Sequence, residues 1–125
     1  MLRTRIQEIG ACKIAICDSD EIIIKDGQSA LEFAVNIGHE HDCHNITLNK
    51  AAIIEDFFML TTGIAGEVTQ KLVNYGYRLT IIGDFSEYTS VPLHDYIYEC
   101  NSGRHIYFVN NEQEALKKLT GTMPR

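Results

Sequence analysis

The sequence predicts a single α/β domain built on a mixed, mostly parallel five-stranded sheet, with elements in the order β-β-α-β-α-β-α-β-α. Short runs rich in Ile, Val, Leu and Thr recur along the chain, and longer stretches between them space their apolar residues three and four apart. In the middle, LTTGIAGEVTQKLVNYGYRLTIIGDFS (Leu60 to Ser86) reads as a helix, a tight turn and a strand apolar on both faces. A helix leading straight into such a strand is the crossover of a parallel sheet.

Taken in order, residues 1–10 read as a weak lead-in ending in a turn at Gly10. Ala11 to Cys17 sets Cys12, Ile14 and Ile16 on one side and reads as the first strand, with Glu21 to Lys25 as its hairpin partner after the Asp18-Ser19-Asp20 turn. Asp26 and Ser29 offer helix-start oxygens, and Ala30, Leu31, Ala34, Val35 and Ile37 trace an apolar face up to Gly38. Asn45 to Leu48 is the third strand. Asn49 to Met59 reads as either an irregular connection or one helical turn, burying Ile53, Ile54, Phe57 and Phe58.

The central helix carries Ile64, Val68 and Leu72, with Thr61 or Thr62 as its cap and Gly76 as its left-handed stop. Arg78 to Gly83 is the fourth strand. Pro92 suits the first turn of the next helix, which presents Leu93, Tyr96, Ile97 and Cys100. His105 to Val109 is the fifth strand, and Asn111 with Glu114 opens the last helix, which stops at Gly121 before a frayed tail. The whole chain, residues 1–125, is one domain with its core over about 11–119.

Composition narrows the function. The 125 residues are 45% hydrophobic and 22% charged, ordinary for a globular domain, with a formal charge of −6. Lys and Arg are scattered, so neither a nucleic-acid backbone nor an anionic membrane is an expected partner. Gln7, Glu8 and Lys13 break any signal-peptide core, and no run reaches the ~18–20 apolar residues that cross a bilayer. A cytoplasmic location is expected. Cys12, Cys17, Cys43 and Cys100 form no Cys-x-x-Cys pair and read as free packed thiols.

Two resemblances bear on the reading. The element order, with Leu60-Thr61-Thr62-Gly63 before a helix and strand, resembles the STAS domain of anti-sigma-factor antagonists. In that family a serine at the start of the corresponding helix is phosphorylated by a partner kinase. The resemblance implies a phosphoacceptor at Thr61 or Thr62 and a regulatory, protein-binding role, although threonines replace the serines and the family's aspartate is missing at the matched place. At the level of wording, EDFFMLTTGIAGE, QKLVNYGYRLTIIGDFS and DYIYECNSGRHIYFV are similar to a bacterial family of uncharacterised proteins, domain of unknown function 4180.

Ligands of a parallel sheet gather outside the carboxyl ends of its strands. Thr61, Thr62, Gly63, Asp84, Phe85, Ser86 and Tyr88 fall at that edge and make the expected binding surface, for a protein partner or for a small anion on the helix-start amides. Their plainer roles are helix and turn caps. A homodimer through an exposed face is a further arrangement. The alternative is a small enzyme using Asp84 with nearby hydroxyls, or a metal held by His39, His41, Cys43 and His44. Against the metal, histidines are favoured at a helix C-terminus in any case. Cys100 with His94 or His105 is a further nucleophile pairing, but Cys100 occupies an apolar helix position. No Gly-x-Ser-x-Gly elbow, Walker loop or dinucleotide fingerprint is present, so no cofactor is expected. The favoured reading is a non-enzymatic binding module.

Overall fold

The computed structural model describes residues 1–121; residues 122–125, where the frayed tail is expected, lie outside the described residues. Five strands form one sheet in chain order: β1 (Leu2–Ile9), β2 (Cys12–Ser19), β3 (Asn45–Asn49), β4 (Arg78–Ile82) and β5 (Ile106–Val109). Only the β1–β2 pair is antiparallel. Four helices follow or link the strands: α1 (Gly27–His41), α2 (Ile64–Asn74), α3 (Val91–Ser102) and α4 (Glu112–Gly121). The sheet is mixed and mostly parallel, as the sequence predicts.

The hairpin, however, sits one element earlier than expected. It turns at Gly10 (φ 60°) and Ala11 and pairs Leu2–Ile9 with Cys12–Ser19. The lead-in is a full edge strand whose side chains are mostly exposed, so no buried face marks it in the sequence. Glu21 to Lys25 is not a strand. Its Ile23 and Ile24 amides both donate to Ala52 O (2.7 and 3.1 Å), and a lone bridge joins Ile24 to Ile53.

Local chemistry explains the helix ends. Asp26 caps α1 in a reciprocal box with Ser29. The helix runs past Gly38 to His41 and stops at Asp42 in the left-handed region (φ 52°), so His39 and His41 lie on its last turn. The Asn49–Met59 stretch, with Leu60–Thr62, resolves into three short 3₁₀ turns. The N-cap of α2 is Gly63 (φ 79°), not a threonine. Ser90 caps α3 with Pro92 in its first turn, and Asn111 Oδ1 accepts the Glu114 N–H at 2.9 Å at the start of α4.

The strand order equals the chain order, so each crossover moves the chain one strand onward. Crossovers of one hand then place α1, α2 and α3 on the same face. Ala15, Cys17, Ile46, Leu48, Leu79, Ile81, Ile106 and Phe108 point into that layer and form the main core. The opposite face is thinner. There Cys12, Ile14, Ile16 and Tyr107 form a second cluster with Leu119, and Leu116 packs against it, both from α4.

Across this second face the register aligns Arg5, Ile16, Thr47, Thr80 and Tyr107 in one row. Thr47 and Thr80 are wholly buried, and their hydroxyls have no partner among the described residues. A buried unpaired hydroxyl costs about 1–3 kcal/mol. Thr47→Val, which keeps the shape and removes the hydroxyl, is therefore expected to raise stability by ~1 kcal/mol in urea unfolding. A loss of comparable size would show that the hydroxyl is partnered.

Candidate functional site

At the carboxyl edge, β3 and β4 end side by side, with Asn49 opposite Ile82. The next residues, Lys50 and Gly83, are in close contact. A Cβ on Gly83 would stand 2.6 Å from Lys50 Cβ, so only glycine lets the lysine stem lie across the strand end. Lys50 Nζ then sits 5.2 Å from the Phe58 ring centroid and 5.0 Å from that of Tyr88. Its carboxylate neighbour is Glu55, with Oε1 at 3.7 Å. Glu55 Oε2 accepts from the Tyr88 hydroxyl at 2.5 Å.

Aromatic packing anchors this polar trio. Phe58 stacks on Tyr88 (5.1 Å between centroids, 17° between planes), and Phe85 packs against both Phe58 and Phe108. Phe57, fully buried, meets Phe108 and Tyr96 below. Each such pair adds ~0.5–1.5 kcal/mol beyond its buried area. The loop after β4 is thereby fixed to the 3₁₀ segment. His94 Nε2, 2.5 Å from Tyr88 O, ties it to α3 as well.

The expected surface residues fall into two groups here. Asp84, Phe85, Ser86 and Tyr88 form one turn, in which Asp84 Oδ1 accepts the Ser86 N–H at 2.9 Å. Hydrogen bonds from Ser86, and more weakly the charge of Lys50, hold the exposed Asp84 carboxyl below the usual range. Thr61, Thr62 and Gly63 are all exposed and occupy the turn into α2. No hydrogen bond joins the two groups among the described residues; the segment from Glu55 to Met59 links them.

Thr62 is structural: its hydroxyl donates towards the Asp56 and Met59 carbonyls, each at 2.8 Å, and accepts the Ile64 N–H at 3.3 Å. Two of the three amides expected to face an anion are engaged internally as well, with Thr62 N–H on Met59 O and Gly63 N–H on Leu60 O. Thr61 makes no side-chain hydrogen bond among the described residues. Of the two threonines it alone presents an unengaged hydroxyl.

The alternative constellations do not converge. Cys43 is buried and donates its thiol to the carbonyls of Lys13 (3.0 Å) and Asn45 (3.1 Å), while His44 stacks on Tyr77 outside. Among the described residues, no three His, Cys, Asp or Glu side chains are grouped to hold a metal ion. Cys100 and His105 do line one small cleft with Tyr96, but burial raises the Cys100 thiol pKa and keeps it protonated. His94 is engaged at Tyr88 instead.

Sequence reading missed Lys50 and Glu55, which lie within the Asn49–Met59 stretch that it leaves between two readings. Arg3 and Arg5 escape it too, because residues 1–10 bury almost nothing and read as a lead-in. With Asp18 and Glu112 these arginines line the cleft of 520 Å³ on the opposite sheet face. Asp84 lines neither that cleft nor those of 460 and 410 Å³.

A family model described as Domain of unknown function (DUF4180) matches residues 9–119. The chain belongs to this family. No curated protein and no solved structure matches it. In this DUF4180 protein, no helix among the described residues is long and apolar enough to cross a membrane.

Two measurements test the Lys50 trio. Burial disfavours the Lys50 ammonium, but Tyr88 and Glu55 outweigh it and raise its pKa above the ordinary 10.5. Burial and the bond to Glu55 raise the Tyr88 phenol above 10.0. Both folded-state values exceed the unfolded ones, so the stabilisation is complete below the unfolded values and is lost as pH rises through the folded ones. Lys50→Met should flatten the stability decline above pH 10.5 and leave the profile unchanged near neutrality. Gly83→Ala should lower stability by ~1–3 kcal/mol and disturb the Phe58 and Tyr88 ring resonances, as overpacking at Lys50 requires.

Proposed function

We propose that this DUF4180 protein is a non-enzymatic binding module whose partner, another protein, docks on the surface formed by Met59, Thr61 and the Asp84–Tyr88 turn. The observation that carries the reading is a rigid support under an exposed apolar and hydroxyl surface. Met59 is 57% exposed on a turn whose next-door rings, Phe57 and Phe58, are buried. The Lys50–Glu55–Tyr88 contacts and the Thr62 hydroxyl hold that turn in one shape, so little ordering entropy opposes docking. Asp84, exposed and with its pKa lowered, has the character of a surface anion rather than a general acid.

The STAS resemblance supports a switch at this place. Phosphate on Thr61 would add about two negative charges beside Met59 and at the entrance to α2. The helix tolerates such charge, whereas a partner seated on Met59 does not. Phosphate on Thr62 would instead break the bonds to Asp56, Met59 and Ile64, so Thr61 is the favoured acceptor.

The test is capture from the source-cell lysate on immobilised wild type, Thr61→Glu and Met59→Ala, read by mass spectrometry. A partner held by wild type and reduced at least about tenfold by both variants supports the reading; tenfold corresponds to ~1.4 kcal/mol, within reach of one interface residue. A partner held equally by all three removes this surface from the account.

A further inference from the structure

The opposite face of the sheet carries a cleft that is separate from the surface above. Its cleft of 520 Å³ lies within the ~300–1,000 Å³ range of small-molecule sites. It opens at the carboxyl ends of β2, β3 and β4, where parallel sheets gather ligands. Ile16 and Ile82 form an apolar floor, β1 makes one wall and the first residue of α4 makes the other.

Among the described residues four charged side chains line it, Arg3, Arg5, Asp18 and Glu112. Arg3 pairs with Asp18 and Arg5 with Glu112, and all four are substantially exposed. Exposed pairs of this kind are worth only ~0–1 kcal/mol, so each can exchange its partner for a ligand. Strand geometry puts Arg3 and Arg5 on the same face two residues apart, with Asp18 directly opposite Arg3. The Asn49 side chain clamps β3 to β2 through the Ser19 N–H (2.9 Å) and the Ser19 carbonyl (2.7 Å), which fixes the floor.

Ligand class follows from charge. A simple anion entering here would release Asp18 or Glu112 beside itself, in a protein of formal charge −6. A simple cation taking Asp18 or Glu112 would leave Arg3 or Arg5 unmatched beside itself. A ligand carrying both charges takes a guanidinium with its carboxylate and a carboxylate with its ammonium, leaving no group without a partner. We propose that this cleft binds a zwitterionic small molecule, an α-amino acid whose apolar side chain lies on Ile16 and Ile82, through Arg3, Arg5, Asp18 and Glu112.

Titration of the ¹⁵N-labelled full chain with L-leucine, L-valine, L-methionine and L-phenylalanine tests this by amide chemical shifts. At least one should give saturable shifts at Arg3, Arg5, Ile16, Asn49 and Ile82. For leucine-type binding, 4-methylpentanoate (no ammonium) and 3-methylbutylamine (no carboxylate) should each bind about tenfold more weakly or worse, the loss of one charge-assisted contact. Arg3→Gln and Glu112→Gln should each weaken binding, and Lys50→Gln should leave it unchanged. No saturable shift with any of the four up to ~10 mM overturns the proposal. So does equal binding of the carboxylate-only analogue, or shifts that survive in Arg3→Gln and Glu112→Gln.

Discussion

A parallel strand pair can be joined only by a crossover, and crossovers share one hand. In a sheet whose spatial order is its chain order, that single constraint sends α1, α2 and α3 to the same face. The other face of the sheet still has to leave water, and α4 alone is left to cover it. Its contribution to that second core is Leu116 and Leu119. The domain is therefore lopsided: one thick apolar layer, and one thin layer over a row that includes two threonine hydroxyls with no partner among the described residues.

The two candidate surfaces descend from this asymmetry. On the thick side the connection from β3 to α2 must cross the carboxyl edge, and it does so in three 3₁₀ turns bound down by rings. Gly83 admits the Lys50 stem, Lys50 lies over Phe58 and Tyr88, and the result is a closed, shaped surface. On the thin side α4 does not extend over β1, so the hairpin's arginines rim an open cleft.

Much of this was legible in the residues. The central helix and β4 could be read because four-residue spacing and an apolar run are strong signals, and Gly76 does adopt the left-handed stop (φ 76°). The Asp26–Ser29 box and Asn111 behaved as their side-chain oxygens suggest. β1 was not legible, because an edge strand that buries nothing leaves no periodicity, and the Ile-rich Glu21–Lys25 run mimicked a strand while supplying one bridge. At the carboxyl edge, Phe85 and Tyr88 lie where the strand order leads one to expect them, whereas no local signal marks Lys50 and Glu55 beside them. Their roles depend on β3 and β4 ending in register, a long-range fact that no local pattern encodes.

Native-state hydrogen exchange, resolved by residue, tests the central claim of unequal faces most directly. The account predicts that β2, β3, β4, α1 and α2 open only with global unfolding, while α4 opens locally at a free energy at least ~2 kcal/mol lower. Protection in α4 equal to that in α1 would contradict it, and would mean that the second face is held as firmly as the first.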